Sequence, residues 1–128
     1  MKTINELSEE IHQNAINKGF WPNGIDLPKA LMLTVSEISE ALEADRNDKY
    51  SDVIEFEKML SIDELKGDDS HFIASYNINI KNTFNEEIAD AVMRLFDIAK
   101  YKGIDLQFHI EQKMRYNKLR PHKHGKKY

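Results

Sequence analysis

Cysteine is absent from the 128 residues, which excludes a disulfide framework, Cys-ligated zinc and iron–sulfur clusters. A cytoplasmic setting is the expectation that follows, since reducing compartments favour chains without disulfides. Long apolar runs are also missing. None approaches the roughly 18 residues that span a bilayer, and the first ten residues are polar and acidic, so neither a membrane helix nor a signal peptide is expected. Tryptophan occurs once, proline three times and glycine five times, so the few helix-breaking residues act as punctuation. With 41% apolar residues, the chain has enough material for one helical core and is small enough to benefit from oligomerisation.

Positive charge is scarce in most of the chain and concentrated at one end. Residues 113–128 hold seven Lys or Arg and no acid, whereas residues 1–112 carry the other 11 against all 22 Asp and Glu. The net charge of −4 therefore hides an acidic body and a basic tail. Such a tail suits phosphate, either on nucleic acid or as an arm serving an acidic metal site.

Punctuation and periodicity predict four main helices. The first runs over residues 4–18, with Thr3 and Glu6 spaced as a capping box and Gly19 as its end. Residues 20–24 form a turn. Asp26 is a candidate cap for a second helix over about 27–46, with Pro28 tolerated in its first turn. Residues 47–83 are weakly patterned, with a short helix over 53–60, and read as an insertion or extended helix pair. A third main helix begins between residues 70 and 83 and is clear over 84–101. A fourth follows Asp105 and stops at Pro121. The expected fold is all-α: a four-helix-type bundle over residues 1–118 with an inserted helical segment between its second and third main helices, then a basic tail over 119–128.

Two acidic pairs stand out against this frame. Glu37 and Glu40 are three residues apart in the second main helix, and Glu87 and Asp90 repeat the spacing in the third. At about 100° per residue each pair projects to nearly one face. Both lie at the edge of an apolar arc: Ala30, Leu31, Thr34, Val35, Ile38, Ala41 and Leu42 in one helix, and Ile88, Ala91, Val92, Leu95, Ile98 and Ala99 in the other. Single acid pairs are common on solvated faces. Acids repeated at matching angles beside apolar stripes repel one another unless a cation intervenes, and oxygen donors without sulfur suit Mg²⁺ or Mn²⁺.

The residues resemble a family at this point. Residues 31–44, which carry Glu37, Glu40 and Glu43, look like the first metal-binding helix of the MazG-like all-α nucleoside triphosphate pyrophosphohydrolases. Residues 86–97, with Glu87, Asp90, Arg94 and Asp97, look like the second. Residues 113–127 are similar to the family's C-terminal segment, in which Lys113 and Asn117 are followed by a basic, glycine-containing tail. Each pattern alone is weak; the ordered combination is specific and covers most of the chain. One departure is the 46 residues between Glu40 and Glu87, more than shorter members place there.

The resemblance implies that Glu37, Glu40, Glu87 and Asp90 bind Mg²⁺, with Mn²⁺ as a possible substitute, and that the substrate is a nucleoside triphosphate cut between its α- and β-phosphates. Glu37 or Glu40 would accept the proton of the attacking water; ligand and base are indistinguishable in sequence. Lys113 and Asn117, four apart on the last helix, would reach one ligand together, with Arg120 a weaker candidate. His12 and Trp21 lie where related enzymes place a His and an aromatic near the nucleotide, although Trp21 also reads as a core plug. Arg94 reads equally as an ion-pair partner or a substrate contact. A homodimer or homotetramer is implied, with no membrane partner and no nucleic acid.

Two other classes fit parts of the same pattern. A di-iron bundle needs two Glu-x-x-His motifs, and only Glu9 and His12 supply one. A non-enzymatic helical module would use the basic C-terminus to bind nucleic acid or a partner, leaving the acid pairs solvated.

Overall fold

A computed structural model describes residues 1–128 and is all-helical, with no strand. Its six α-helices are α1 (Ile4–Asn17), α2 (Leu27–Arg46), α3 (Val53–Leu60), α4 (Asp69–Asn79), α5 (Phe84–Tyr101) and α6 (Leu106–Lys118), with short 3₁₀ turns at Asp63–Leu65 and His122–Gly125. They form two compact units, one of residues 1–27 and 95–128 and the other of residues 28–94, with the boundary inside α5.

In the first unit, the Thr3 hydroxyl accepts from the Glu6 amide at 3.1 Å and Glu6 Oε2 accepts from the Thr3 amide at 2.7 Å, closing the capping box on α1. At the other end the Phe20 amide donates to the Ala15 carbonyl and the Gly19 amide to that of Ile16. That Schellman pair needs a left-handed residue, and Gly19 takes it at φ 87°. α5 ends the same way on Gly103. α1 packs against α6. Asp105 Oδ1 accepts both the Asn5 amide side chain (2.7 Å) and the Phe108 backbone amide (3.0 Å), so one carboxylate caps α6 and ties it to the start of α1.

In the second unit, α3 and α4 pack as a helical hairpin, with Asp52 and Asp68 as their side-chain N-caps. Phe56, Phe72 and Tyr76 form its aromatic cluster, with ring centroids 5.9–6.2 Å apart. Ser75 is fully buried, and its hydroxyl donates back to the His71 carbonyl. The hairpin is stitched to the start of α5 by the loop after α2. The Asp52 amide donates to the Asn79 carbonyl, the Phe84 amide to that of Lys49, and Ser51 and Thr83 share a hydroxyl contact of 2.8 Å.

α4 is a separate helix that ends before α5 begins, so the 47–83 segment holds a helix pair and the third main helix starts at the late end of its expected range. One feature departs from the sequence expectation: the apolar arcs are only partly covered. On α2, Ala30, Thr34 and Ala41 are buried, yet Leu31, Val35, Ile38 and Leu42 are 45–53% exposed; on α5, Ala91 is buried while Ile88 and Val92 are each 42% exposed. The small residues of each stripe sit inside, and most of the large ones are open, with Ile98 of α5 buried.

Candidate metal centre

Three of the four motif acids converge within the second unit. One carboxylate oxygen each from Glu37, Glu87 and Asp90 lies within 4.8 Å of the others. α2 supplies the first, and the i,i+3 spacing on α5 supplies the other two. Glu37 and Glu87 are 9% and 7% exposed, Asp90 is half-buried, and Glu40 is exposed at the edge.

Their electrostatics differ according to what faces each one. Burial pushes Glu37 up, but the Arg94 guanidinium beside it, together with a hydrogen bond from Glu40, brings its pKa below the usual range. Arg94 Nε donates to Glu37 Oε1 at 2.7 Å. Glu40 is raised by the hydrogen bond and charge of Glu37. Glu87 is pushed up to about 7, first by burial and then by the charge of Glu40. Asp90 is raised by burial and by the Glu86 charge. Crowded, half-desolvated carboxylates with only Arg94 as a nearby compensating charge are poised for a further cation.

Tyr76 of the inserted hairpin borders this cluster. Its hydroxyl donates to Glu86 Oε1 at 2.7 Å, while Glu86 Oε2 accepts the Asn82 amide at 2.5 Å. Burial, then the hydrogen bond to Glu86 and the charges of Glu86, Asp90 and Glu87, raise the phenol's pKa. Sequence reading missed Tyr76 because it sits in the weakly patterned segment.

The other candidate residues fall in the first unit. His12 Nδ1 and Trp21 Nε1 meet the two oxygens of Asp97, at 2.6 and 2.8 Å. Asp97 carried no role in the sequence reading, although seven residues, close to two turns, separate it from Asp90 and put it on nearly the same face of α5. Lys113 Nζ lies 4.9 Å and Arg120 Cζ 5.5 Å from the centre of the Tyr116 ring, so two cations flank one aromatic. Asn117 Oδ1 is buried with no hydrogen-bond partner. In the tail, Lys123 and His124 adopt left-handed backbone at φ 52°. No protein-family model, curated protein or solved structure matches the chain.

Proposed function

We propose that the chain is a Mg²⁺-dependent nucleoside triphosphate pyrophosphohydrolase with a MazG-like four-helix-type bundle, converting (d)NTP to (d)NMP and pyrophosphate in cytoplasmic nucleotide housekeeping. The observation that carries it is the convergence of Glu37, Glu87 and Asp90 oxygens within 4.8 Å from two motifs 50 residues apart. The donor set fits Mg²⁺, or Mn²⁺ in its place: it is all oxygen, and repulsion among its acids is what a divalent cation relieves.

Glu37, Glu87 and Asp90, with Glu40 at the edge, would hold the metal. When bound, Mg²⁺ neutralises triphosphate oxygens and acidifies a coordinated water. Arg94 fixes the Glu37 carboxylate through one donor, leaving Glu40 as the freer base. Exposed and with its pKa raised by Glu37, Glu40 takes a proton from the water that attacks the α-phosphorus. The new P–O bond forms as the bond to the β-phosphate bridging oxygen breaks, and pyrophosphate leaves with the electron pair. Lys113, Asn117 and Arg120 bind phosphate or sugar, with the unpartnered Asn117 oxygen available to a donor. His12 and Trp21 contact the base.

Homo-oligomerisation is supported by the uncovered residues. Leu31, Val35, Ile38 and Leu42 follow i, i+4, i+7 and i+11 spacing, a helix seam that a second copy would bury.

The test is hydrolysis of a panel of canonical and modified nucleoside triphosphates with Mg²⁺ or with EDTA, products resolved by chromatography. Metal-dependent monophosphate and pyrophosphate are expected. Folded protein that turns over no triphosphate, or that releases diphosphate and phosphate, overturns the assignment.

A further inference from the structure

Asp97 is a carboxylate only 8% exposed, with no Lys or Arg within ion-pair distance. Burying such a group is costly unless hydrogen bonds compensate, and here two ring nitrogens do so. His12 Nδ1 lies 2.6 Å from Oδ1 and Trp21 Nε1 lies 2.8 Å from Oδ2. The two rings arrive from different segments, α1 and the loop before α2. Trp21 is also held at φ 61°, a left-handed conformation that is unfavourable for a non-glycine residue. Tyr101 stands edge-on to the imidazole, with centroids 6.2 Å apart and planes at 71°.

These contacts fix both rings. A carboxylate partner requires Nδ1 to be the protonated nitrogen, so Nε2 is the polar atom left to meet a ligand. The indole N–H is likewise committed, which sets the ring plane and leaves its face. Both rings remain partly open to solvent. A flat heteroaromatic with a polar edge is the ligand chemistry that one aromatic face and one imidazole nitrogen recognise together.

We infer that Asp97 is a positioning residue that aligns His12 and Trp21 for nucleobase recognition, an inference that rests on the nucleotide function proposed above. Because Trp21 is the only tryptophan, its emission reports this arrangement without interference. In Asp97→Asn, the charge that organises both donors is lost while the side-chain size is kept. We expect KM for the preferred triphosphate to rise about tenfold, the larger share of the loss to lie in KM rather than kcat, and the Trp21 emission response to bound nucleotide to weaken. Introduced into a His12→Gln, Trp21→Phe background, the same substitution should add little, since the residues through which it acts are gone.

An Asp97→Asn protein with wild-type KM and wild-type Trp21 response overturns the inference, as does a full effect retained in the double-variant background. If Asp97→Asn does not fold, His12→Gln carries the test, because Asp97 then still holds Trp21; an unaltered KM and base preference in that variant overturns it. Wild-type protein that neither binds nor hydrolyses any triphosphate removes the proposed function and the inference together. Turnover that is indifferent to Asp97 removes the inference alone.

Discussion

Proton release on metal binding should follow the protonation of Glu87. Burial and the neighbouring Glu40 push its carboxyl from 4.5 to about 7. Between these values the folded protein binds more protons than the unfolded chain, so stability falls as pH rises from about 4.5 to 7 and levels off above. Fully expressed, that rise corresponds to roughly 3 kcal/mol. Water at the edge of the cluster screens it, leaving on the order of 1 kcal/mol. In EDTA the wild type should therefore lose a few degrees of Tm across that window, and Glu87→Gln should lose less. Bound Mg²⁺ requires the carboxylate, so metal binding at pH 6 should release about 0.9 proton from Glu87 and at pH 8 about 0.1. Calorimetric Mg²⁺ titrations in buffers of different ionisation enthalpy measure this release. Equal release at both pH values, or a larger value at pH 8, would refute the assignment of Glu87 as a protonated ligand awaiting a cation.

Other outcomes follow from the same structure. Arg94→Met should destabilise the protein by about 1–3 kcal/mol in urea unfolding, because it strips Glu37 of its charged partner in a half-buried setting; a change below about 0.5 kcal/mol would show the pair to be a surface contact. Phe56→Ala removes the ring that meets both Phe72 and Tyr76, and about 2 kcal/mol of stability should go with it. Val35→Lys, with Ile38→Lys beside it, should convert an oligomer to monomers in sedimentation velocity, since a charged seam is costly to bury. A monomeric wild type would leave those faces without the partner inferred for them.

Local chemistry made much of the fold legible. The Thr3 and Glu6 capping box, Gly19 and Gly103 as left-handed ends, and Asp105 as a cap are short-range devices, and each falls where its spacing places it. α3 matches its expected span although its segment is weakly patterned, and the Asp52 side chain caps its first turn. α4 was harder to read for a physical reason. Its buried positions, Ser75 and Asn79, are polar and satisfy themselves on carbonyls one turn back, with Asn79 also meeting the Met59 sulfur. Apolar periodicity cannot report a face that is buried by satisfied polar groups.

The acid site was legible for a related reason. The i,i+3 spacing fixes which carboxylates share a face, and the structure brings Glu37, Glu87 and Asp90 together. Spacing could not reveal that Arg94 is engaged by Glu37, or that Asp97 gathers His12 and Trp21 from segments 85 and 76 residues away. The half-exposed Leu31, Val35, Ile38 and Leu42 illustrate the remaining gap: hydrophobic patterning marks a face to be covered without saying whether the same chain covers it.

The most direct measurement is single-turnover hydrolysis of a nucleoside triphosphate in ¹⁸O-labelled water with Mg²⁺, comparing wild type with Glu40→Ala. Glu40 is exposed, so its loss should leave the fold intact while removing the proton acceptor. The expected result is label in the monophosphate, none in the pyrophosphate, and a rate at least about a hundredfold lower in the variant. Label in pyrophosphate, or a variant as fast as wild type, would contradict the mechanism; no turnover by either protein would contradict the function itself.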